Sequence, residues 1–327
     1  MSHSDTLTCF VISDGRRGIE NQALGLAEAA SALRPLEIIP HHIENGAAFK
    51  AASPMLQFAM KSKPADYRLK GAPPQMAIGC GRQAIAPLLA LKKHAPETFT
   101  IYVQDPRMDT DRFDLIIAPE HDNLTGPNVE FMIGSPNRVT KAEIAGRTLS
   151  FEKKLNELPM PRAAMLIGGT SKTHDLGKAE HKAHMGAAQD LISQGYSLLV
   201  TTSRRTPDWA IKDYQALISG TEKSWGYFGD GPNPYFAFIG GADILLVTED
   251  STNMLTEAAS TGKIVFTLPM QGKAGKFQTL YESLEKRCNI RPYDGDLTAE
   301  AYKPLRETQR IAERLWAHYE ARTAAIN

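Results

Sequence analysis

The amino-acid sequence predicts an α/β protein of two doubly wound parallel-sheet domains facing across a cleft. Three observations carry this. Short apolar runs alternate with longer stretches of helical periodicity along the chain. A polar stretch at 135–161, ending in Pro159 and Pro161, interrupts the alternation once. The length of 327 residues fits two domains of ordinary size.

In the first half, the runs 7–13, 36–40, 75–79, 99–103 and 113–118 read as strands. They are short, β-branched and apolar on both faces, as buried parallel strands are. Helical stretches at 21–34 and 82–95 lie between them, which implies βαβ units. The second half repeats the scheme, with strands at 162–169, 196–203, 224–229, 243–249 and 264–269. Helices fill 179–194, 206–219, 233–241, 252–261 and 274–287. The last segment is an amphipathic helix with Leu305, Ile311, Leu315 and Tyr319 on one stripe. The expected domains are 1–155 and 160–302, with a final helix at 303–325 crossing back to the first. Ligands of open α/β sheets bind outside the carboxyl ends of the strands. Residues just after each strand are therefore the candidates for a site.

The composition narrows the class. Hydrophobic residues make up 42% and charged residues 23%, an ordinary globular balance. Lys and Arg total 37, as do Asp and Glu, so no global charge points to nucleic acid. The three cysteines, Cys9, Cys80 and Cys288, form no close pair, which fits a reducing compartment. The start carries no signal-peptide pattern, and no apolar run approaches the roughly 20 residues of a membrane span. The expectation is a cytoplasmic chain.

In the second half, VTEDSTNMLTEAASTGK (247–263) runs from a strand end into a helix. Ser251 is a good N-cap, and the first turn leaves N–H groups that can hold a phosphate. Glu257 lies beyond them, where its carboxylate can accept hydrogen bonds from a ribose diol. Gly262 ends the helix. The same pattern also fits an ordinary capped helix with an exposed glutamate. Gly168 and Gly169 follow another strand, allowing close approach, with Thr170, Ser171 and Lys172 next. The loop lacks Walker A spacing and also fits a tight turn. Ser203, Arg204 and Arg205 follow a third strand, and Pro207 is expected at the first helical position. Paired guanidinium groups match a diphosphate, or are a solvated pair.

In the first half, Gly15 and Gly18 bracket Arg16 and Arg17 after a strand. The spacing is only loosely that of a dinucleotide fingerprint. GCGRQ (79–83) places Arg82 at a helix tip. Asp14, Asp105, Glu120, His121 and Asp122 are the titratable groups of the cleft, any of them a structural residue as readily as a general base. Asp109-Thr110-Asp111 matches a DxD metal motif, but it precedes a strand and reads as a solvated turn. His174, His181 and His184 lie in a lysine-rich stretch without ligand partners and read as surface histidines. No metal and no cofactor are expected.

The chain resembles the bacterial proteins assigned as glycosyltransferases and grouped with the plant "elongated mitochondria" mitochondrial-fission proteins. The residues that carry this are SDGRRGIENQ, IGCGRQ, QDPR, FDLIIAPEHD, IGGTSK, TSRRTP, GPNPYFAFIGGAD and VTEDSTNMLTEAASTGK, spread over nearly the whole length. The wider similarity is to B-type glycosyltransferases, such as the enzyme adding N-acetylglucosamine to the peptidoglycan lipid intermediate. That fold has two Rossmann-like domains. The resemblance implies that Gly169, Thr170, Ser171, Ser251 and Thr252 hold a diphosphate, and Gly168 is a further candidate in the same glycine turn. It implies that Glu257 holds the ribose and that Tyr227 and Phe228 meet the base. Ser203, Asn233, Asn253 and Met254 fall in the same motifs. Gly15, Arg16, Gly18, Asn21, Gln22 and Arg82 fall on the acceptor side. The glycine loop here differs from that enzyme's histidine-containing one, so its catalytic base does not carry over.

The expected activity is metal-free transfer of a sugar from a nucleotide-diphosphate donor, most simply a UDP-sugar, to a lipid-borne or envelope glycan acceptor. Arg204, Arg205 and the helix tip at 251–253 would stabilise the departing diphosphate. Asp14, Asp105 or His121 would activate the acceptor hydroxyl. The alternatives are a nucleotide-sugar 2-epimerase and a non-enzymatic adaptor. The stretch 49–71 interleaves Lys50, Lys61, Lys63, Arg68 and Lys70 with Phe49, Met55, Leu56, Phe58 and Met60. It reads as a peripheral contact with the inner face of the cytoplasmic membrane, or as a helix packing on the core with solvated lysines.

Overall fold

The structure, a computed structural model, describes residues 6–326. The chain forms two compact units, one of residues 1–138 with 306–327 and the other of 139–305.

In the first unit the chain runs β1 (Leu7–Ser13), α1 (Arg17–Leu33), β2 (Leu36–His42), α2 (Ala47–Ala51), α3 (Pro54–Met60), β3 (Met76–Cys80), α4 (Arg82–His94), β4 (Phe99–Val103), β5 (Leu115–Pro119) and β6 (Val129–Met132). The strands form one parallel sheet in the order β2-β1-β3-β4-β5-β6. β6 and the helical start at Arg17 escaped the sequence pattern. β6 is short and half-exposed, so it lacks the buried-strand signature. The order reverses between β1 and β3, the switch point of a doubly wound sheet.

In the second unit the elements are α5 (Lys141–Thr148), α6 (Glu152–Asn156), β7 (Arg162–Ile167), β8 (His174–Asp175), α7 (Lys178–Ser193), β9 (Ser197–Thr202), α8 (Asp208–Ser219), β10 (Ser224–Tyr227), α9 (Tyr235–Gly241), β11 (Ile244–Thr248), α10 (Thr252–Thr261), β12 (Ile264–Leu268), β13 (Gln271–Gly272), α11 (Gln278–Cys288) and β14 (Arg291–Pro292). Its parallel sheet has the order β10-β9-β7-β11-β12-β14, and β8 pairs with β13 in a separate antiparallel ribbon. This is the order of a doubly wound sheet, with its switch point between β7 and β11. The chain then returns to the first unit as α12 (Glu307–Ile326).

The cores follow from this layering. One face of the first sheet packs α1 and α12, through Ala23, Leu26, Ala27, Ala30, Ile311, Leu315 and Trp316. The other face packs α4, through Ile85, Leu88 and Leu91. The second sheet packs Leu191 of α7 and Tyr214 of α8 against Met165, Val200 and Leu246.

Several expectations are corrected. The polar stretch at 135–161 is not a bare linker. It holds α5 and α6, whose Ile144 and Leu155 lie against Gly240 and Gly241 of α9, so residues from 139 onward join the second unit. Pro207 is the N-cap of α8 and not its first helical residue. His174, His181 and His184 are buried, not surface, histidines. His184 lies between the Tyr214 hydroxyl (3.1 Å) and the Pro269 carbonyl (2.7 Å), and burial lowers its pKa to about 4. His181 meets Asp213 at 3.0 Å and packs edge-on against Trp209 and Tyr214. Apolar neighbours from α8 make room for both imidazoles, a tertiary effect that the lysines of α7 conceal in the sequence.

Candidate functional site

At the switch point of the second unit, the loop after β7 meets the segment between β11 and α10. Asp250 joins them, with a side chain wholly shielded from solvent. Its Oδ2 accepts from the Gly169 N–H at 3.0 Å and from Arg205 Nη2 at 2.6 Å. Arg205 also donates through Nη1 to the carbonyls of Gly169 (3.0 Å) and Thr170 (3.2 Å). This explains the two glycines. A Cβ on Gly168 would lie 2.1 Å from Asp250 Oδ1, and one on Gly169 would lie 2.0 Å from the Arg205 carbonyl.

The loop's backbone donors all have partners within the unit. The Gly168 N–H donates to Thr248 Oγ1 (2.7 Å), Gly169 to Asp250, Thr170 to the Arg205 carbonyl (3.1 Å) and Ser171 to the His174 carbonyl (2.7 Å). Thr170 Oγ1 donates to Asp175 at 2.5 Å, and Ser171 Oγ accepts the His174 N–H at 3.0 Å. Ser203 Oγ accepts the Arg205 N–H at 3.1 Å. The loop is thus a braced turn in this state, one of the two readings that its sequence pattern allowed.

Among the described residues, Arg204 and the start of α10 keep anion-favouring groups open. Arg204 is exposed, and its guanidinium has no ion-pair or hydrogen-bond partner among the described residues. α10 begins at Thr252, with Ser251 as N-cap accepting the Met254 N–H at 3.4 Å. The Thr252 N–H has no acceptor among the described residues, and the helix dipole adds partial positive charge there. Gly262 closes the helix at φ 77°. Asn253 and Met254 are half-buried in the first turn.

Glu257, one turn further along α10, is not simply exposed. It is half-buried by surface area yet crowded by protein atoms, and Oε2 accepts the Tyr235 hydroxyl at 2.5 Å. Burial pushes its carboxyl up to about 7, against the opposing pull of that hydrogen bond. Burial and the nearby carboxylate hold the Tyr235 phenol far above its ordinary range. Oε1 accepts no hydrogen bond from the described residues, so one face of the carboxylate is open to a ligand. Asn233 Oδ1 accepts the Tyr235 N–H at 2.9 Å and so shapes the start of α9. Tyr227 donates to the Gly231 carbonyl at 3.4 Å. Phe228 packs partly on the core. Sequence reasoning missed Asp250 and Tyr235. Both stood in the motifs, Asp250 before the N-cap and Tyr235 in the NPY run, but only their contacts reveal their roles.

In the first unit, the candidate groups follow neighbouring strand ends. Asp14 follows β1 and is held by its own loop, accepting the Arg16 N–H at 3.2 Å and Arg16 Nε at 2.8 Å. Gly15 turns the chain at φ 73°. Gly18 and Asn21 lie in the first turns of α1, with Gln22 buried behind them. Asp105 accepts the Arg107 N–H at 2.7 Å. His121 is buried beside Asp122, at 3.9 Å. Arg82 donates to the carbonyls of Lys50 (2.9 Å) and Ala52 (2.6 Å) at the end of α2, so it braces that helix. Among the described residues, no group of three or more His, Cys, Asp or Glu side chains is placed to hold a metal.

The mitochondrial fission ELM1 family model matches residues 17–319. The chain belongs to that family. It is 25% identical over 276 residues to mitochondrial fission protein ELM1 of Arabidopsis thaliana, covering 76% of this chain and 65% of the plant protein. It is 24% identical over 355 residues to an uncharacterized protein of Rickettsia prowazekii, covering 94% of this chain and 97% of that one. Solved structures share the fold of this ELM1-family chain. Escherichia coli ADP-heptose LPS heptosyltransferase II matches with a TM-score of 0.52 at 13% identity, over 97% of this chain and 100% of that one. Methanocaldococcus jannaschii UDP-GlcNAc 2-epimerase matches with 0.55 at 11% identity, over 95% and 99%. Acinetobacter baumannii MurG matches with 0.53 at 12% identity, over 95% and 100%. These neighbours place the chain in the B-type glycosyltransferase fold, which transferases and 2-epimerases share.

Proposed function

We propose that this ELM1-family chain binds a nucleotide-diphosphate sugar in its second unit and transfers the sugar to an acceptor held by the first, without a metal. The observation that carries the reading is the Glu257–Tyr235 pair beside the open tip of α10. A carboxylate with one free oxygen, about a helical turn from the Thr252 N–H and the positive end of the helix dipole, matches a ribose diol joined to phosphates. Arg204 supplies the free cation for the departing diphosphate. The UDP-GlcNAc 2-epimerase and the ADP-heptose heptosyltransferase that share the fold support a nucleotide-sugar ligand, and UDP is the simplest donor group. Asp14, Asp105 or His121 would take the acceptor's proton, and Tyr227 and Phe228 would meet the base. The acceptor is proposed to be lipid-borne or an envelope glycan, with the 49–71 stretch resting on the inner face of the cytoplasmic membrane.

Isothermal calorimetry with UDP tests the donor site. Glu257→Ala is expected to weaken binding by about 1.5–3 kcal/mol, the value of a hydrogen bond to a charged group. Equal affinity in the parent and the variant would remove the ribose assignment.

A second reading, a non-enzymatic adaptor, is favoured by the braced 168–171 loop, whose N–H groups all have acceptors within the protein. Absence of any UDP binding by the parent would favour it.

A further inference from the structure

The carboxyl edge of the first unit's sheet holds a polar cluster that the donor site does not use. Gln104 directly follows β4 with a φ of 97°. Glycine adopts that region freely, and other residues keep it only when the surroundings impose it. The Gln104 N–H donates to the Ile117 carbonyl at 2.8 Å, which holds the backbone in place. Its side-chain Nε2 donates to Gln22 Oε1 at 3.2 Å. The same oxygen accepts from Cys80 Sγ at 3.4 Å, and Gln22 is buried. Gln104 is half-buried, and its Oε1 accepts no hydrogen bond from the described residues and is not enclosed.

The strand register places this oxygen. Ile12 pairs with Gly79 and Cys80 pairs with Val103, so Asp14, Gly81 and Gln104 stand in one row just beyond three adjacent strand ends. That row includes the β1–β3 switch point, where doubly wound sheets bind ligands. Asp14 and Asp105 flank it. Their charges reach the Cys80 thiol and the Tyr102 phenol respectively. Arg16 and Arg107 act on the same two groups with the opposite sign, so the rim carries both charges and leaves neutral hydroxyl groups, which need only acceptors, as well suited to it as ions.

We propose that Gln104 is a ligand-contacting residue of the first unit, whose amide oxygen, oriented by Gln22, accepts a hydroxyl of an uncharged saccharide. Naming that saccharide the acceptor rests on the transfer reading above; the amide site itself does not. Glycine fits this φ better, so glutamine stands here for its side chain, of which Nε2 is engaged with Gln22 and Oε1 is not.

Gln104→Gly in the full chain separates the two roles. The expected result is a melting temperature no lower than that of the parent, because relief of the backbone offsets the lost hydrogen bond to Gln22. Saturation-transfer NMR with N-acetylglucosamine and glucose should show binding to the parent and about tenfold weaker binding to the variant. Gln104→Ala should lose the same binding while melting below Gln104→Gly. A lower melting temperature for Gln104→Gly than for the parent would make the residue structural and overturn the proposal. Equal saccharide signals in parent and variant, or none in the parent, would also overturn it. UDP titration of the same samples reads the donor site separately, so failure there strikes the donor reading and leaves the saccharide result to decide Gln104.

Discussion

Glu257 shows how burial changes what a carboxyl group can do. Its carboxyl rises from an ordinary 4.5 to about 7, mainly because crowding disfavours the charge. The folded chain therefore holds more protons than the unfolded one between those two values. Its contribution to stability is fully present below about 4.5 and is lost as pH rises through about 7. Binding runs the other way, because an ionised carboxylate accepts a diol better. Uridine, which has no phosphate to titrate in this range, should bind more tightly as pH rises through about 7. Glu257→Gln should flatten both trends. Denaturant melts and uridine titrations across that range check this, and unchanged slopes in the variant would assign the pH dependence elsewhere. The position of Glu257 was legible from its spacing after the N-cap. Its pairing with Tyr235 was not, because α9 and α10 meet only in the folded unit.

At the scale of elements, two adjacent arginines after β9 separate into different roles. Arg205 turns inward to the shielded Asp250, and Arg204 stays free. Removing Arg205 leaves a buried carboxylate without its cation. Arg205→Ala should destabilise the fold by about 2–3 kcal/mol, less than the ~3–5 kcal/mol of a fully buried pair because the guanidinium is partly exposed. Arg204→Ala should leave the melting temperature within about a degree, since surface changes stay within about 0.5 kcal/mol. It should nevertheless weaken UDP more than uridine. Thermal melts paired with the two titrations separate these outcomes, and equal losses for UDP and uridine would take Arg204 away from the phosphates. The dipeptide alone showed two cations after a strand. Which one faces the protein depends on Asp250, some forty-five residues further along the chain.

At the scale of the whole molecule, zero net charge means that attraction to an anionic surface must be local. The 49–71 stretch is two short helices and a turn, not one amphipathic helix. Phe49 and Phe58 pack partly on the core, while Met55, Leu56 and Met60 stay exposed. Lys61 lies over the Phe49 ring at 4.6 Å, whereas Lys50, Lys63, Arg68 and Lys70 are exposed. Part of this stretch therefore packs on the core, and the rest presents apolar and basic side chains to solvent. No helix among the described residues is long and apolar enough to cross a membrane. Co-sedimentation with phosphatidylglycerol vesicles should show binding that weakens with salt, because surface charge is screened within about 8 Å at physiological ionic strength. Lys50→Glu with Lys70→Glu, or Leu56→Asp with Met60→Asp, should reduce it without lowering the melting temperature. Binding indifferent to both pairs would leave these side chains as ordinary surface.

The sequence by itself determined the alternation of strands and helices, the loops that follow the strands, and the family motifs those loops carry. These are local properties, set by apolar periodicity, capping residues and turn chemistry along the chain. Ser251 and Gly262 could be read as the ends of α10 because each acts on neighbours a few residues away. Only the tertiary structure decided which donors in those loops have partners. Arg205, Asp250 and Gly169 come from three strand ends that the sheet order β9-β7-β11 brings side by side. Tyr235 and Glu257 meet in the same way, across two helices. Burial and pairing depend on contacts between distant segments, and no local pattern records the desolvation that moves a carboxyl group's pKa or fixes a guanidinium in place.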